Sequence, residues 1–231
     1  MTNDERAAPK PNHAPMRGAG VALIGCALAS VALLVAHPEG GGSLGFAGML
    51  KAEASQALSD AVVHGGFVLV LAVEMAGFAA LAVRVGARRT LVLTAMSFFL
   101  VGAGLLSASM IVDGLITPAV AARYASLPSD KQEAARPLFV LIGAALRVLM
   151  PMGLAFQGAA ALVWGPVLVS CRGSARVGGV IGLVLGVAVS AAIGISIQSV
   201  NPIGLMIAIV ATAAWALTAG LVLLARPRRT V

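Results

Sequence analysis

Four ionisable residues stand inside or at the edge of long apolar segments, where charge is costly: His64, Glu74, Asp113 and Arg147. A carboxyl can accept a proton, an imidazole can transfer one or bind a metal ion, and an arginine can hold an anion. Inside membranes, such residues mark substrate pathways and proton relays. What these four can do depends on the depth at which their helices place them.

The apolar residues fall in six runs, each near or above the length that crosses a bilayer. Hydrophobic residues make up 59% and charged residues 11% of the 231 positions, whereas soluble domains carry about 25% charged residues. One transmembrane helix needs about 20 apolar residues. The sequence therefore predicts an all-α polytopic membrane protein of six transmembrane helices, at 18–36, 61–83, 90–112 extending to about 122, 137–170, 177–198 and 203–225. This single membrane domain, 18–225, lies between a flexible cytoplasmic tail at 1–17 and a basic cytoplasmic tail at 226–231.

Positive charge is distributed asymmetrically between alternate loops. Most of the 16 basic residues fall on one side of alternating spans, namely Arg6, Lys10, Arg17, Arg84, Arg88, Arg89, Arg172, Arg176, Arg226, Arg228 and Arg229. Because cytoplasmic loops retain lysine and arginine, both termini are predicted in the cytoplasm. The frequent use of alanine, glycine and arginine favours a bacterial inner membrane. The arginines are expected to contact anionic headgroups of the lipid bilayer, and their confinement to span ends argues against nucleic acid as a partner.

The third and fourth spans are longer than a bilayer requires. Apolar character persists over 90–122 and 137–170, which makes about 50 Å of helix against a hydrocarbon core of about 30 Å. This pair is predicted to project outward as a long hairpin, or to bend near Pro118 and Pro151. At its tip, Ser129 and Gln132 have the spacing of a capping box that should begin the fourth helix.

The segment between the first two spans carries apolar residues at roughly helical spacing. Phe46, Met49, Leu50 and Leu58 recur in this way within an otherwise polar loop. The pattern predicts a short helix lying on the outer surface of the membrane.

Counting 1.5 Å per residue from the cytoplasmic arginines places each polar residue by depth. His64, Asp113 and Arg147 fall near the outer boundary, and the last two are symmetric about the hairpin tip. We therefore expect an Asp113–Arg147 ion pair, with Ser109 and Thr117 on the same helical stripe as Asp113. Two interpretations compete for these five residues. Either the pair pins two long helices together, or the layer is a substrate-binding pocket in which Arg147 holds an anionic group.

Glu74 falls near the midplane, where no basic residue shares its depth. A charged carboxylate there would cost several kcal/mol, so we expect a protonated group that is hydrogen-bonded to Ser97, Ser190 or the Trp215 indole. In the functional interpretation, Glu74 is a proton-coupling carboxyl whose charge state follows solute occupancy. In the structural interpretation it only joins helices.

The fifth span carries small residues at every fourth position: Gly178, Gly182, Gly186, Ser190 and Gly194. Small residues on one face let helix backbones approach closely in lipid. The series therefore predicts a tightly packed seam with the sixth span, rather than a glycine-lined solute path.

Neither a metal site nor a cofactor is predicted. Cys26 and Cys171 lie in different environments, without metal-binding spacing, and His64 is the only histidine assigned to a span. Methionines near His64 would suit Cu(I), but methionine in a membrane core more often fills gaps.

The sequence leaves three functions open. The first is small-solute transport or permeation, with Glu74 as the proton-coupling group. The second is a membrane-embedded enzyme or lipid-binding protein that uses the outer polar layer on a headgroup. The third is an accessory subunit whose small-residue seam meets a partner membrane protein or a second copy of the chain.

Overall fold

The protein is helical throughout the part of the chain that the structure, a computed structural model, describes: residues 14–37, 45–199 and 202–225. The helices are α1 (Ala14–Val35), α2 (Gly45–Val85), α3 (Thr90–Ile111), α4 (Thr117–Tyr124), α5 (Ser129–Ala134), α6 (Arg136–Val169), α7 (Ser174–Ser199) and α8 (Pro202–Leu224). Six segments are long and apolar enough to cross a membrane. The prediction of an all-α, multi-pass membrane protein is confirmed.

The second helix is much longer than its predicted span. α2 is continuous over 41 residues, or about 60 Å. The segment around Phe46 and Leu58 is therefore the N-terminal part of α2, and the prediction of a separate surface helix is wrong. No proline interrupts this stretch, so one continuous helix can satisfy its backbone hydrogen bonds.

The third span continues beyond residue 112 to Tyr124, close to the predicted limit of about 122, and it does so through a wider turn. A five-residue π-helical turn, Val112–Ile116, joins α3 to α4. Pro118 lies two residues after this turn and has no N–H to donate to the backbone four residues earlier. Instead, the backbone N–H of Thr117 donates to the oxygen of Val112, and the Thr117 hydroxyl donates to the same oxygen at 2.8 Å. The π turn therefore keeps the helix continuous next to a proline.

The hairpin tip contains an extra short helix. α5 begins where the capping box predicted, but no side chain in the described part of the chain caps it. Instead, Gln132 Nε2 donates to the backbone oxygens of Ala125 and Leu127 at 3.0 and 2.9 Å and thereby closes the turn. Pro137 lies in the first turn of α6, where its missing N–H costs nothing. The predicted fourth helix is therefore preceded by a separate short helix. Gln132 bonds to the turn before α5, which is not the bond that a capping box makes, so this part of the prediction is wrong.

The N-terminal part of α2 packs against the hairpin. The rings of Phe46 and Phe139 meet edge to face, with centroids 5.6 Å apart, and the Arg136 guanidinium lies 4.5 Å above the Phe46 ring. Leu50 of α2 and Ala121 of α4 are completely buried. These contacts make a small apolar core for the helix segments that exceed the length of a bilayer.

The spanning helices form a closed ring in which each packs against its neighbours along the chain and α8 returns to α1. Aromatic residues fill the centre of the ring. Phe78 lies 4.4 Å from Phe99 and 6.0 Å from Trp215, measured between ring centroids, and Trp164 is also fully buried. This filled layer lies on the side of Glu74 nearer the arginine-rich helix ends.

The small-residue series of α7 meets two different helices. A Cβ atom on Gly178 would lie 2.6 Å from Val222, and one on Gly182 would lie 2.7 Å from Trp215, so both positions face α8. One turn later, a Cβ on Gly186 would lie 2.7 Å from Leu162 of α6, whereas a Cβ on Gly194 would meet nothing within 4 Å. The face of α7 in contact therefore changes along the helix, because 3.6 residues per turn do not keep every fourth residue aligned.

Arg84 joins the ends of α2 and α8. Its Nη1 donates to the backbone oxygen of Leu223 at 2.6 Å, and its Nη2 donates to that of Ala225 at 2.7 Å. A cation there also interacts favourably with the negative end of the helix dipole. Two of the arginine-rich ends therefore lie on the same side of the bundle.

Substituting Arg84 with glutamine should destabilise the protein by about 2 kcal/mol, because hydrogen bonds from a charged donor each contribute about 1.5–3 kcal/mol, and the shorter amide can retain part of them. Arg88→Gln, at an exposed position in the turn that follows α2, is the matched control and should change stability little. Chemical unfolding in detergent measures both variants. Equal stability of the two would contradict the capping role of Arg84.

Candidate functional site

A cavity of about 460 Å³ lies between α1, α2, α3, α6 and α8, in the half of the bundle remote from the arginine-rich helix ends. Its walls are mostly apolar, formed among others by Phe67, Leu71, Met110, Met150, Leu154 and Met206. Its few polar lining residues are Ser30, His37, His64, Glu74, Asp113 and Thr212. A mainly apolar cavity with a few polar groups is the usual composition of a small-molecule site.

Three polar side chains meet at one end of the cavity. His37 follows the end of α1, His64 lies on α2, and Asp113 lies in the π turn. The Nε2 atoms of the two histidines are 3.3 Å apart, and His64 Nε2 lies 3.2 Å from Asp113 Oδ2. We call these three residues the mouth cluster. Of the predicted outer-layer residues, the structure thus brings His64 and Asp113 together.

His64 is fixed in place by its surroundings. The side chain is 3% exposed, and its Nδ1 lies 2.9 Å from the backbone oxygen of Asp60, one turn earlier. A carbonyl oxygen can only accept, so Nδ1 carries a proton and donates it. Gly114 faces the imidazole, and a Cβ atom there would overlap the Cβ and ring of His64. The orientation of the ring therefore depends on a glycine in the π turn.

Ser109 and Thr117 do not line the cavity with Asp113, although a regular helix would place all three on one stripe. The π turn adds a residue to the turn between Asp113 and Thr117, so the predicted spacing no longer aligns them. The hydroxyl of Thr117 bonds within its own helix. Ser109 is completely buried, and its Oγ has no hydrogen-bond partner among the described residues.

Arg147 lies apart from the mouth cluster. The residue is exposed on α6, and no ion pair joins it to Asp113 in the described part of the chain. The predicted Asp113–Arg147 pair is therefore not formed. The N-terminal half of α6 has few neighbours, so that Leu141 and Val148 are also more than half exposed. His64 occupies the position beside Asp113 that was expected for the guanidinium.

Glu74 lines the cavity away from the mouth cluster. The residue is 8% exposed, and within the described ranges its carboxyl has no hydrogen-bond or ion-pair partner. None of the three expected partners bonds to it. Ser97 is exposed, Ser190 donates to the backbone oxygen of Gly186 at 2.9 Å, and the buried Trp215 Nε1 has no hydrogen-bond partner among the described residues. The carboxyl is thus left for whatever enters the cavity.

His37 is the site residue that sequence reasoning missed. It was not assigned to a span, and so it was not considered with His64. Counting depth from a cytoplasmic arginine would have placed His37 at the outer boundary, as it did the other residues. His37 lies 20 residues after Arg17, and a helix rises 1.5 Å per residue. The layer that contains His64 and Asp113 therefore also contains His37.

Comparisons with protein-family models, with curated proteins and with solved structures found no match to this chain. Its function is therefore inferred from the cavity and the polar groups at its two ends.

Proposed function

We propose that this protein moves a small solute across a bacterial inner membrane, with both termini in the cytoplasm, and that Glu74 carries a proton coupled to this movement. The supporting observation is the Glu74 carboxyl, which is buried, faces the cavity and lacks a partner among the described residues. Buried polar groups are rarely left unpaired in folded proteins. A proton, a solute or water in the cavity would supply the missing interaction.

The lining of the cavity indicates the class of solute. Apolar walls favour an apolar molecular body, and a single carboxyl at one end favours a basic or hydrogen-bond-donating group. A hydrophobic amine has both properties. We therefore propose a small hydrophobic amine as the solute class, bound with its nitrogen next to Glu74.

Coupling follows from the cost of a buried charge. An isolated carboxylate in an apolar cavity is unfavourable, so the empty site holds a neutral, protonated Glu74. A cationic solute would stabilise the carboxylate and release the proton, because both compete for one group. The Cys26 thiol of α1 is the titratable group that interacts electrostatically with Glu74, and the other titratable groups that line the cavity belong to the mouth cluster.

The test measures uptake of a radiolabelled hydrophobic tertiary amine by proteoliposomes, together with proton movement reported by a pH-sensitive dye. Wild-type protein should exchange amine for protons. Glu74→Gln keeps the size and the hydrogen-bonding ability of the side chain but cannot ionise, and it should abolish this exchange. Glu133→Gln, at an exposed residue paired with Arg136, is the control and should behave as wild type. Uptake that is coupled to protons equally in Glu74→Gln and wild type would refute the proposal.

The same apolar walls support a second candidate, a lipid-binding protein or an enzyme that acts on a lipid. In that case a lipid chain would fill the cavity beside Leu71 and Leu154. Native mass spectrometry of the purified protein should then detect one bound lipid per chain, retained in Glu74→Gln. Absence of bound lipid, together with proton-coupled amine uptake, would favour transport.

A further inference from the structure

The mouth cluster offers a second chemistry that is separate from the carboxyl of Glu74. We propose that His37, His64 and Asp113 bind a divalent transition-metal ion, and that Zn²⁺ is the ion that fits them best. The three side chains come from the segment after α1, from α2 and from the π turn, so the ion would join three separate segments. This inference does not depend on the proposed transport of a solute.

The spacing of the donor atoms matches metal coordination. Zinc binds nitrogen and carboxylate oxygen at about 2.0–2.2 Å, so neighbouring ligand atoms of a tetrahedral site lie about 3.3 Å apart. His37 Nε2 and Asp113 Oδ2 lie 3.3 and 3.2 Å from His64 Nε2, and all three donor atoms lie within 4.8 Å of one another. Two of the three separations therefore already have the required value.

The hydrogen bond on the far side of His64 supports the same conclusion. Metal-binding histidines usually donate their other ring N–H to a carboxylate or a backbone carbonyl, which fixes the tautomer and directs the lone pair at the ion. His64 Nδ1 makes this bond to the oxygen of Asp60 at 2.9 Å. In the neutral ring, Nε2 then has a lone pair directed at the other two donor atoms. A single proton can be shared between only two of the three donor atoms, whereas a metal ion can accept an electron pair from all three.

Negative charge accumulates around the mouth cluster. Glu53 and Asp60 interact electrostatically with each other, with Asp113 and with both imidazoles. Asp60 is only 6% exposed. Three carboxylates in this small region repel one another, and a divalent cation would reduce this repulsion.

The ligand types select among metals. Imidazole suits zinc, copper, iron and nickel, whereas magnesium and calcium prefer sites made of oxygen atoms alone. Two imidazoles and one carboxylate leave the fourth tetrahedral position open, as in zinc sites that bind water or a substrate. His37 is exposed and the Asp113 side chain is 32% exposed, so an ion can reach the site from outside the bundle.

The experiment uses the full chain in detergent, stripped of metal and without a histidine tag. Zn²⁺ titrated by calorimetry should bind one ion per chain, and Co²⁺ should give the visible absorption of a tetrahedral site. His37→Ala and Asp113→Asn should each weaken Zn²⁺ binding by roughly tenfold or more. His13→Ala, which removes the one histidine outside the described residues, is the matched control and should bind as wild type. Mg²⁺ should not compete.

Thermal unfolding provides a readout that does not rely on a spectrum. Zn²⁺ should raise the Tm of wild-type protein and, at the same concentration, raise that of His37→Ala much less, since the stability gained from a bound ligand grows with its affinity for the folded site. Glu74→Gln should bind Zn²⁺ as wild type does, so failure of the transport proposal would leave this one intact. Failure of wild-type protein to bind Zn²⁺, or equal binding by His37→Ala, would overturn the metal site in favour of a His64–Asp113 ion pair. A preference for Cu⁺ that survives Asp113→Asn would overturn the assigned ligands in favour of the cavity methionines.

Discussion

Replacing Gly179 with alanine is expected to destabilise the protein by about 2–3 kcal/mol, in the upper part of the range of about 1–3 kcal/mol that is usual for overpacking a well-packed core. Gly179 lies where the backbones of α7 and α6 pack closely together. A Cβ atom there would stand 2.5 Å from the backbone nitrogen of Val169 and 2.6 Å from the backbone oxygen of Gly165. Both atoms belong to the backbone, so rotation of a side chain cannot relieve the contact. The two helices would have to separate along their whole contact.

Gly194→Ala, in the same helix, is the control for this prediction. Among the described residues, a Cβ at Gly194 would meet nothing within 4 Å, and alanine favours helix over glycine by up to about 1 kcal/mol. Chemical unfolding in a mild detergent should therefore show a large loss for Gly179→Ala and no loss for Gly194→Ala. If Gly194→Ala were instead the more destabilising variant, the spacing of small residues along α7, and not the contacts in the structure, would indicate where α7 packs closely against another helix.

Gly114→Ala is expected to displace His64 and to weaken Zn²⁺ binding by roughly tenfold or more, the effect usual for lost support of a metal ligand. The added methyl group would overlap the Cβ of His64, which is fixed to the backbone of α2, so rotation of the side chain cannot relieve the contact. The π turn would have to move away from α2, and Asp113 would move with it. Calorimetric titration with Zn²⁺ measures this loss.

Gly65→Ala separates this effect from a general effect of substituting glycine near the site. Gly65 is the neighbour of His64 in the same helix, and a Cβ there would meet nothing within 4 Å. We expect Gly65→Ala to bind Zn²⁺ as wild type does, and both variants to remain monodisperse in detergent. If Gly114→Ala also binds Zn²⁺ normally, then the contact between Gly114 and His64 does not position the imidazole.

The number of spans could be predicted because the membrane imposes a simple local requirement. A helix that crosses lipid must be apolar over about 20 consecutive residues, and this property is visible without knowing what the helix touches. The same reasoning predicted that the third span continues to about residue 122, and the helix ends at Tyr124. It underestimated α2, because the N-terminal part of that helix is polar enough to lie outside the apolar window.

The site was only partly predictable, because depth can be counted along a chain but rotation about a helix axis cannot. His64 and Asp113 were placed in one layer correctly and lie 3.2 Å apart. Arg147 was placed in the same layer, but no ion pair joins it to Asp113 within the described residues. Depth alone does not distinguish a side chain that faces the bundle from one that faces away.

The order of apolar and basic segments by itself determined that this chain crosses a membrane and which residues share a depth, since both depend on composition along one dimension. The tertiary structure alone decided that His37 completes the mouth cluster, that Glu74 faces a cavity without a partner among the described residues, and that Gly179 meets the backbone of α6. These features depend on how each helix is rotated and on one π turn. Both are set by side-chain packing between segments distant in the sequence.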